Sequence, residues 1–450
     1  MSDLPKGSKK LLNAWAFYDW ANSVYPLVIS SAVFPIFYGA LTIIKDEDTG
    51  AVISDTVSFL GYNFNNDSLI SYVTAVSFLV ISVMSPVLSG ISDYIGNKES
   101  FMKFFCYLGA ISCIGLYWFS LDNLWFGLLC YFFGLIGFWG SLVFYNSYLP
   151  DIAYPEQQDR ISAKGFSLGY IGSVILLVAN LIMILKFEWF GFENAGQPTR
   201  LAFILVGVWW ILFAQYTFKH LPTGTHEGQK VTKTVLFSGL KELKKIWLAI
   251  QENKILKKYI SAFFVYSMAV QTIMIAATYF AIEELDWGSQ DSTFGLIVSI
   301  LLIQLIAIVG ANATAKLSEK IGNIKTLIII ISMWIVICGF AYFVVTPTQF
   351  YVVAACVGVV MGGIQALSRS TYSKLIPDDT LDTASYFSFY DVAEKIGIVI
   401  GMFMYGFVAE LTGSMRYSIL FLITFFIIGL IILTTLPKNT LVPEAKIEEV

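Results

Sequence analysis

Residues 92–97 read Ser-Asp-Tyr-Ile-Gly-Asn, and residues 318–323 read Ser-Glu-Lys-Ile-Gly-Asn. The two stretches are separated by half of the 450-residue chain, and each lies between two long apolar segments. A short polar turn that recurs at matching places indicates an internal repeat. The sequence therefore predicts two similar halves.

The composition identifies the environment in which these halves fold. Hydrophobic residues make up 57% of the chain and charged residues 13%, whereas soluble domains carry about 25% charged residues. The apolar segments reach the roughly 20 residues that a membrane-spanning helix needs and exceed the roughly 10 of a membrane β-strand. An all-α integral membrane protein is predicted. A soluble enzyme, a nucleic-acid binder and a disordered scaffold are excluded.

Twelve transmembrane helices, called spans 1 to 12, are predicted. They cover residues 14–43, 69–92, 101–120, 125–148, 162–185, 201–218, 259–282, 294–315, 326–345, 350–372, 385–411 and 417–436. With the N-terminus placed inside, the cytoplasmic side holds all but five of the 28 Lys and Arg residues, namely Lys45, Lys186, Arg200, Lys395 and Arg416. Because cytoplasmic loops are enriched in these residues, both termini are predicted to be cytoplasmic.

The longest polar stretch divides the chain into three predicted parts. These are an N-terminal six-helix bundle (1–218), a cytoplasmic linker (219–258) and a C-terminal six-helix bundle (259–450). The linker contains an amphipathic helix, whose apolar face is formed by Leu236, Leu240, Leu243, Trp247 and Ile250. Parallel six-span repeats place a substrate site between the bundles near the membrane midplane, and rocking of the bundles alternates access to it.

The repeated turn also carries a resemblance. Residues 90–98 resemble the loop between spans 2 and 3 of the major facilitator superfamily, with Gly96 and Lys98 in place, although Ser89 and Tyr94 depart from the pattern. Gly96 permits a tight turn, and Asp93 can cap a neighbouring helix end or pair with a cation. A gating role is therefore predicted for one set of residues: Asp93, Gly96, Lys98, Glu319, Gly322 and Arg369.

Further motifs give a narrower resemblance that covers nearly the whole chain. They are Tyr18–Ser23 followed by Pro35, then residues 144–152, 165–172 and 362–370, and Phe389–Tyr390 followed by Lys395. In this order they resemble the vacuole-effluxer-like (autophagy-related permease) branch of the superfamily. The resemblance implies the major facilitator fold and a transport function, and fungal members are described as releasing amino acids from the vacuole. The compact loops resemble a bacterial member, which implies a multi-pass protein of the cell inner membrane. A fungal source would imply the vacuolar membrane.

Ionisable residues inside spans are costly and by default indicate function. Asn22 and Ser23 follow Asp19 by three and four residues, so one face of span 1 carries a carboxylate, an amide and a hydroxyl. This face suits an ammonium group or a proton. Alternatively, Asp19 pairs with a basic residue at the cytoplasmic mouth and serves packing.

Span 11 carries a second group, Asp391, Glu394 and Lys395. Asp391 and Lys395 can form an intrahelical pair, which leaves Glu394 to bond elsewhere or to take up a proton, since burial favours a neutral carboxyl group. These three residues and Asp19 are the predicted proton-coupling residues. A structural network is the alternative.

Arg369 in span 10 could clamp a substrate carboxylate or pair with Asp93 or Glu319 as a gate, and we favour the gate. The remaining polar residues of the spans are predicted to line the cavity, or else to form interhelical hydrogen bonds: Trp139, Asn146, Gln271, Gln304 and Gln365.

Other residue types point to packing. Glycines at or near small-xxx-small spacing are predicted to let helices approach closely: Gly165, Gly169, Gly172, Gly358, Gly362, Gly397 and Gly401. Pro26, Pro35 and Pro86 are predicted to kink their helices. All five cysteines lie in apolar runs and are expected to be buried, and His220 and His226 lie in the linker. No metal or other cofactor is therefore expected.

The sequence predicts a secondary active transporter, not an enzyme, that moves a small polar solute by alternating access. An amino acid coupled to protons, by symport or antiport, is the favoured cargo, and the partners are the solute and the bilayer around a monomer, with no nucleic acid. Two alternatives remain, an exporter of lipophilic compounds and a transport-dead sensor or assembly subunit. A membrane-embedded lipid enzyme is disfavoured because the spans lack histidine and a clustered nucleophile and base.

Overall fold

A computed structural model describes residues 4–46, 52–223, 235–288, 291–378, 380–437 and 440–441. Within these residues, twelve helices are long and apolar enough to cross a membrane. They confirm the predicted number and order of spans. Spans 1 to 12 are Lys9–Thr42, Asn66–Ile95, Lys98–Trp118, Leu124–Ile152, Pro155–Leu185, Gly196–Phe218, Lys254–Glu284, Ser292–Ile321, Asn323–Ala341, Pro347–Leu375, Thr383–Thr412 and Met415–Thr434.

The repeated turn ends a span in both halves. Span 2 ends at Gly96, whose φ of 71° is left-handed, and the side chain of Asn97 then accepts a hydrogen bond from the backbone N–H of Ser100 to begin span 3. Span 8 ends at Gly322, whose φ is 88°. Glycine adopts positive φ without a steric penalty, so the tight turn predicted at Gly96 is confirmed, and Gly322 uses the same freedom in the second half.

Span 1 is not a regular helix. It consists of an α-helix (Lys9–Asn22), a π-helix (Tyr25–Val33) and a second α-helix (Phe34–Thr42). Pro26 lies in the first turn of the π-helix and Pro35 in the first turn of the second α-helix. π-Helical turns are rare and are frequent at functional sites. The irregular part of span 1 directly follows its polar face.

Short strands occupy the connection between spans 1 and 2. Strands β1 (Ile44–Lys45) and β2 (Val52–Ser54) form one antiparallel pair, and β3 (Thr56–Phe59) and β4 (Tyr62–Asn65) form another. In the second pair Thr56 faces Asn65 and Phe59 faces Tyr62. The sequence analysis predicted no secondary structure between spans 1 and 2. Two short 3₁₀-helices, Leu116–Trp118 and Phe187–Phe190, end span 3 and follow span 5.

The buried apolar residues form two main hydrophobic cores. One is built from residues 11–221 with Ala384, and the other from residues 246–436 with Tyr170. Between them, a small cluster of buried alanines brings spans 5, 8 and 10 together: Ala163, Ala311, Ala315 and Ala366. We call spans 1–6 the first half and spans 7–12 the second half. The domain boundaries at 218 and 259 stay a prediction.

The ends of the described chain lie on one side of the bundle. Lys6 donates to the carbonyl of Pro150 at the end of span 4, and Lys258 at the start of span 7 donates to the carbonyl of Thr435 after span 12. We call this side the terminal face. That it faces the cytoplasm stays a prediction.

A linker helix, Val235–Glu252, packs against spans 2, 7 and 11. Ile246 and Ile250 are buried, whereas Trp247 is half exposed and its ring lies 5.8 Å from that of Phe389. Lys245 forms an ion pair with Asp382 before span 11. The side chains of Leu236 and Leu240, and all of His226, lie outside the described part of the protein. The linker helix thus contacts spans of both halves.

Glycines bring the backbones of spans 8 and 10 together, as predicted for Gly358 and Gly362. A Cβ atom at Gly362 would lie 2.2 Å from the carbonyl oxygen of Ala307.

Cys356, on span 10, is exposed. The prediction that all cysteines are buried is wrong at this position, because an apolar residue of a membrane helix can face lipid as well as the core.

We expect Gly362→Ala to lower the free energy of unfolding by about 2 kcal/mol, because the added methyl group overpacks a backbone contact. The measurement is unfolding of the purified protein in detergent micelles. Gly339→Ala is the control, since no heavy atom lies within 4 Å of a Cβ atom there. Equal losses of stability in both variants would contradict close packing of spans 8 and 10.

Candidate substrate site and gate

A buried ion pair joins the two halves. Asp19 on span 1 and Arg369 on span 10 are both almost fully buried, and Nη2 of Arg369 lies 3.3 Å from Oδ2 of Asp19. The hydroxyl of Tyr145 donates a second hydrogen bond, of 2.8 Å, to the same carboxylate oxygen. The predicted pairing of Arg369 with Asp93 or Glu319 is not formed. Arg369 lies six residues before the end of span 10 at Leu375, and its guanidinium reaches Asp19 on span 1.

Other groups of the first half surround the guanidinium. Its Nε donates to the hydroxyl of Ser162 at 2.9 Å, its Nη2 to the carbonyl of Ser162 at 3.0 Å, and its Nη1 to the side chain of Asn146 at 3.2 Å. The guanidinium carbon lies 4.2 Å from the ring centre of Phe166 and 4.9 Å from that of Trp15. The arginine is therefore held by hydrogen bonds and by aromatic faces together.

Glycines of span 5 make room for this pair. A Cβ atom at Gly165 would lie 2.4 Å from Oδ2 of Asp19, and one at Gly169 would lie 2.4 Å from Oγ of Ser23. The predicted packing role is confirmed at these two positions. The space that these glycines leave is occupied by the polar face of span 1.

The predicted polar face of span 1 forms. Asn22 is buried, and Oγ of Ser23 lies 3.4 Å from its Oδ1. Within the described residues, Nδ2 of Asn22 has no hydrogen-bond partner. A buried polar group without a partner is costly. Asn22 therefore offers a donor that a bound solute could satisfy.

The predicted intrahelical pair of span 11 also forms, between Lys395 and Asp391. The hydroxyl of Ser85 on span 2 lies 3.5 Å from the Asp391 carboxylate, and Nζ of Lys395 lies 4.3 Å from the ring centre of Trp139 on span 4. Glu394 accepts a hydrogen bond from Gln271 on span 7. Span 11 thus presents its charges towards spans 2, 4 and 7.

Three of the remaining predicted cavity residues take part in side-chain hydrogen bonds. Gln365 accepts from the hydroxyl of Tyr170 across the two halves at 2.9 Å. Asn146 binds Arg369 and Gln271 binds Glu394, as described above. Oε1 of Gln304 is buried without a partner among the described residues. Contacts to a solute at these positions stay a prediction.

Asp93 caps a helix of the other half. Its carboxylate accepts hydrogen bonds from the backbone N–H groups of Ser385, at 2.7 Å, and Ala384, at 3.3 Å, in the first turn of span 11. This confirms the expected capping of a neighbouring helix end, where the helix dipole favours a negative charge. Lys98 forms an ion pair with Asp151 and a hydrogen bond with Thr383.

The repeated turn of the second half contacts a carboxylate of the first half. Asp159 on span 5 is buried, and its oxygens lie 2.7 Å from Nζ of Lys374 and 2.8 Å from both Oγ of Ser318 and Nδ2 of Asn323. Glu319, the predicted gating residue, lies 3.6 Å from an arginine, Arg160, that is 76% exposed.

Sequence reasoning missed Asp159 because span 5 was predicted to begin at residue 162. The helix begins at Pro155, and proline is common in the first turn. Hydropathy does not detect polar first turns, although Pro155 was a usable signal. Tyr145, Ser162, Asp151 and Thr383 were also missed, because nothing in the sequence shows that they meet residues far along the chain.

These features agree with the comparison to known proteins. Residues 7–446 match the family model described as "Vacuole effluxer Atg22 like". The chain belongs to this family. It is 30% identical to the MFS-type transporter YxiO of Bacillus subtilis over 431 residues, which cover 95% of each chain. It is 23% identical to autophagy-related protein 22 of Kluyveromyces lactis over 480 residues, 95% of this chain and 93% of that one.

Solved structures show the same fold. The chain resembles FucP in its outward conformation with a TM-score of 0.67 at 14% identity, covering 95% of this chain and 98% of FucP. It resembles the proton:xylose symporter XylE with a TM-score of 0.68 at 11% identity, covering 96% and 97%. The predicted family and major facilitator fold are confirmed. The protein is a multi-pass membrane protein and an MFS-type transporter.

Asp159 and Glu319 provide a direct test of the terminal-face contacts. We expect Asp159→Ala to lower the free energy of unfolding by about 3 to 5 kcal/mol, because it leaves the charge of Lys374 without its partner at a largely buried position. Glu319→Ala should cost about 0.5 kcal/mol or less, as for other exposed pairs. Unfolding in detergent micelles measures both. A larger loss of stability in Glu319→Ala than in Asp159→Ala would contradict the assignment of Asp159 as the stronger contact.

Proposed function

We propose that the protein moves a small zwitterionic solute of the amino-acid class across the membrane by alternating access, coupled to protons. The observation that carries this proposal is the pairing of charges of both signs between the halves. At 1.5 Å per residue, Asp19 and Glu394 lie about 15 Å from the terminal ends of their helices, about half the thickness of the hydrocarbon core. A solute with both charges can pair with groups of both signs.

Alternating access is supported by the distribution of contacts between halves. At the terminal face, Asp93 caps span 11, Lys98 bonds to Thr383, and Asp159 pairs with Lys374. These contacts hold this face closed. They are short polar contacts at helix ends, which rigid halves can break and reform as they rock.

The solute class is supported by the groups around Asp19. The Asp19 carboxylate lies next to the guanidinium of Arg369, and the same helix face carries Ser23 and Asn22, whose Nδ2 has no hydrogen-bond partner among the described residues. A site for lipophilic compounds would be mainly apolar, with few polar groups. The concentration of charge here favours a small polar solute over the lipophilic exporter.

Proton coupling is assigned to Glu394. Asp391 is neutralised by Lys395, whereas Glu394 is bonded by the neutral side chain of Gln271 and, among the described residues, is in no ion pair. A carboxyl group in this position can take up and release a proton without breaking an ion pair. A neutral Glu394 would also remove an uncompensated charge from the membrane interior.

Uptake by the purified protein in liposomes tests the function. With a panel of amino acids and sugars, we expect amino acids to be taken up. Other amino acids should inhibit this uptake by competition. We expect Asp19→Asn to reduce this uptake at least about ten-fold, since a charge-assisted hydrogen bond is lost. Uptake of sugars alone, or broad inhibition by unrelated hydrophobic cations, would contradict the proposed solute class.

A second prediction concerns coupling. In Glu394→Gln, we expect that a proton gradient no longer drives accumulation, while exchange of labelled for unlabelled amino acid continues, because the amide cannot carry the proton. Glu283→Gln, at an exposed position, is the control and should accumulate solute like the parent. Gradient-driven accumulation by Glu394→Gln would exclude this residue as the proton carrier.

A further inference from the structure

Arg369 has no donor left to offer in the closed state. A guanidinium has five N–H groups. Here Nε bonds to the hydroxyl of Ser162, Nη1 to Asp19 and Asn146, and Nη2 to Asp19 and the carbonyl of Ser162. The five contacts account for all five N–H groups. A solute therefore cannot bind to this arginine while the terminal face is closed.

All of these acceptors belong to the half that does not carry the arginine. Asp19 is on span 1, Asn146 on span 4 and Ser162 on span 5, whereas Arg369 is on span 10. The aromatic faces of Trp15 and Phe166 are also on spans 1 and 5. Separation of the halves at the terminal face would remove every one of these partners in a single movement.

Near the middle of the described spans, the two carboxylates of the second half already have partners, since Asp391 pairs with Lys395 and Glu394 binds Gln271. An unpaired charge at this depth is strongly unfavourable. The partner that best matches a freed guanidinium is a carboxylate, which accepts two parallel hydrogen bonds.

We propose that Arg369 is a carboxylate-binding site that exists only when the terminal face is open. The carboxylate of the solute then replaces Asp19 on the guanidinium. This deepens the proposed function and rests on it. The arginine thus has two partners in turn. Asp19 binds it when the terminal face is closed, and the solute carboxylate binds it when the face is open.

The exchange also frees Asp19. The carboxylate keeps the hydrogen bond from Tyr145, which lies in the same half, and it loses its cation. The ammonium group of the solute can replace that cation. A zwitterion thus substitutes for both members of the ion pair, and the net charge between the halves does not change.

Distances between the halves test the exchange directly. Spin labels at Glu156→Cys and Lys320→Cys, both exposed at the terminal face, report the separation of spans 5 and 8 in the full-length protein in nanodiscs. Cys356→Ser removes the exposed native thiol, and the other four are buried. The probes are a mixture of common amino acids, the matching amino-acid amides, and the matching carboxylic acids that lack the amine.

Amino acids and amine-free acids should increase the population with a long distance, and amides should not, because only the first two carry a carboxylate. Arg369→Lys keeps the charge and loses the bidentate geometry. We expect it to need an about ten-fold higher concentration of amino acids for the same shift. Equal responses to acids and amides, or an unchanged concentration in Arg369→Lys, would overturn the proposal.

A matched pair of variants separates competition from general loss of an ion pair. Asp19→Asn removes the competing carboxylate, so amine-free acids should act at an about ten-fold lower concentration. Glu284→Gln weakens another arginine–carboxylate pair, with Arg416, but both residues lie in the second half. It should respond like the parent. The same response in both variants would contradict competition at Arg369.

Liposome uptake distinguishes the two possible failures. If amino acids are transported while acids and amides shift the distances equally, the carboxylate site is wrong and the proposed function stands. If no amino acid is transported and none shifts the distances, the proposed function is wrong, and the carboxylate site is wrong with it.

Discussion

The cost of charge inside a membrane governs how this protein is held together. Three pairs of opposite charges offset that cost in the described spans: Asp19 with Arg369, Asp159 with Lys374, and Asp391 with Lys395. The first two pairs cross between the halves. Removing one partner of a buried pair costs far more than a surface ion pair contributes. The halves therefore cannot separate at the terminal face unless water or a solute replaces the partners that are lost.

The repeated turn closes the terminal face in two different ways. In the first half, the turn supplies the carboxylate of Asp93, and span 11 supplies backbone N–H groups. In the second half, the turn supplies Ser318 and Asn323 as donors, and span 5 supplies the carboxylate of Asp159. The turn therefore provides the acceptor in the first half and the donors in the second half, at the same place in the fold. The repeated motif thus marked the location of both contacts, and in the second half the buried carboxylate is Asp159, whereas Glu319 of the motif lies 3.6 Å from the exposed Arg160.

Predictions from the sequence succeeded where the relevant contact is local. The spans follow from runs of apolar residues, the turn at Gly96 from the freedom of glycine, and the Lys395–Asp391 pair from residues four apart on one helix. They failed or stayed open where partners are distant. The sequence analysis considered a basic partner for Asp19 without identifying it, and it considered the wrong acidic partners for Arg369. The strands between spans 1 and 2 and the early start of span 5 at Pro155 were also missed, because hydropathy does not detect them.

The sequence by itself determined the membrane environment, the twelve helices, the twofold repeat and which costly residues lie inside the spans. Apolar runs and short spacings carry that information, since helices form from neighbouring residues. Only the tertiary structure decided that Arg369 is surrounded by spans 1, 4 and 5, and that Asp19 is its counter-ion. Those residues are far apart along the chain, and close packing through Gly165 and the buried alanines brings them together. The physical reason is that charge neutrality is required of the assembled interior, where partners are chosen by packing across the two halves and not by position in the chain.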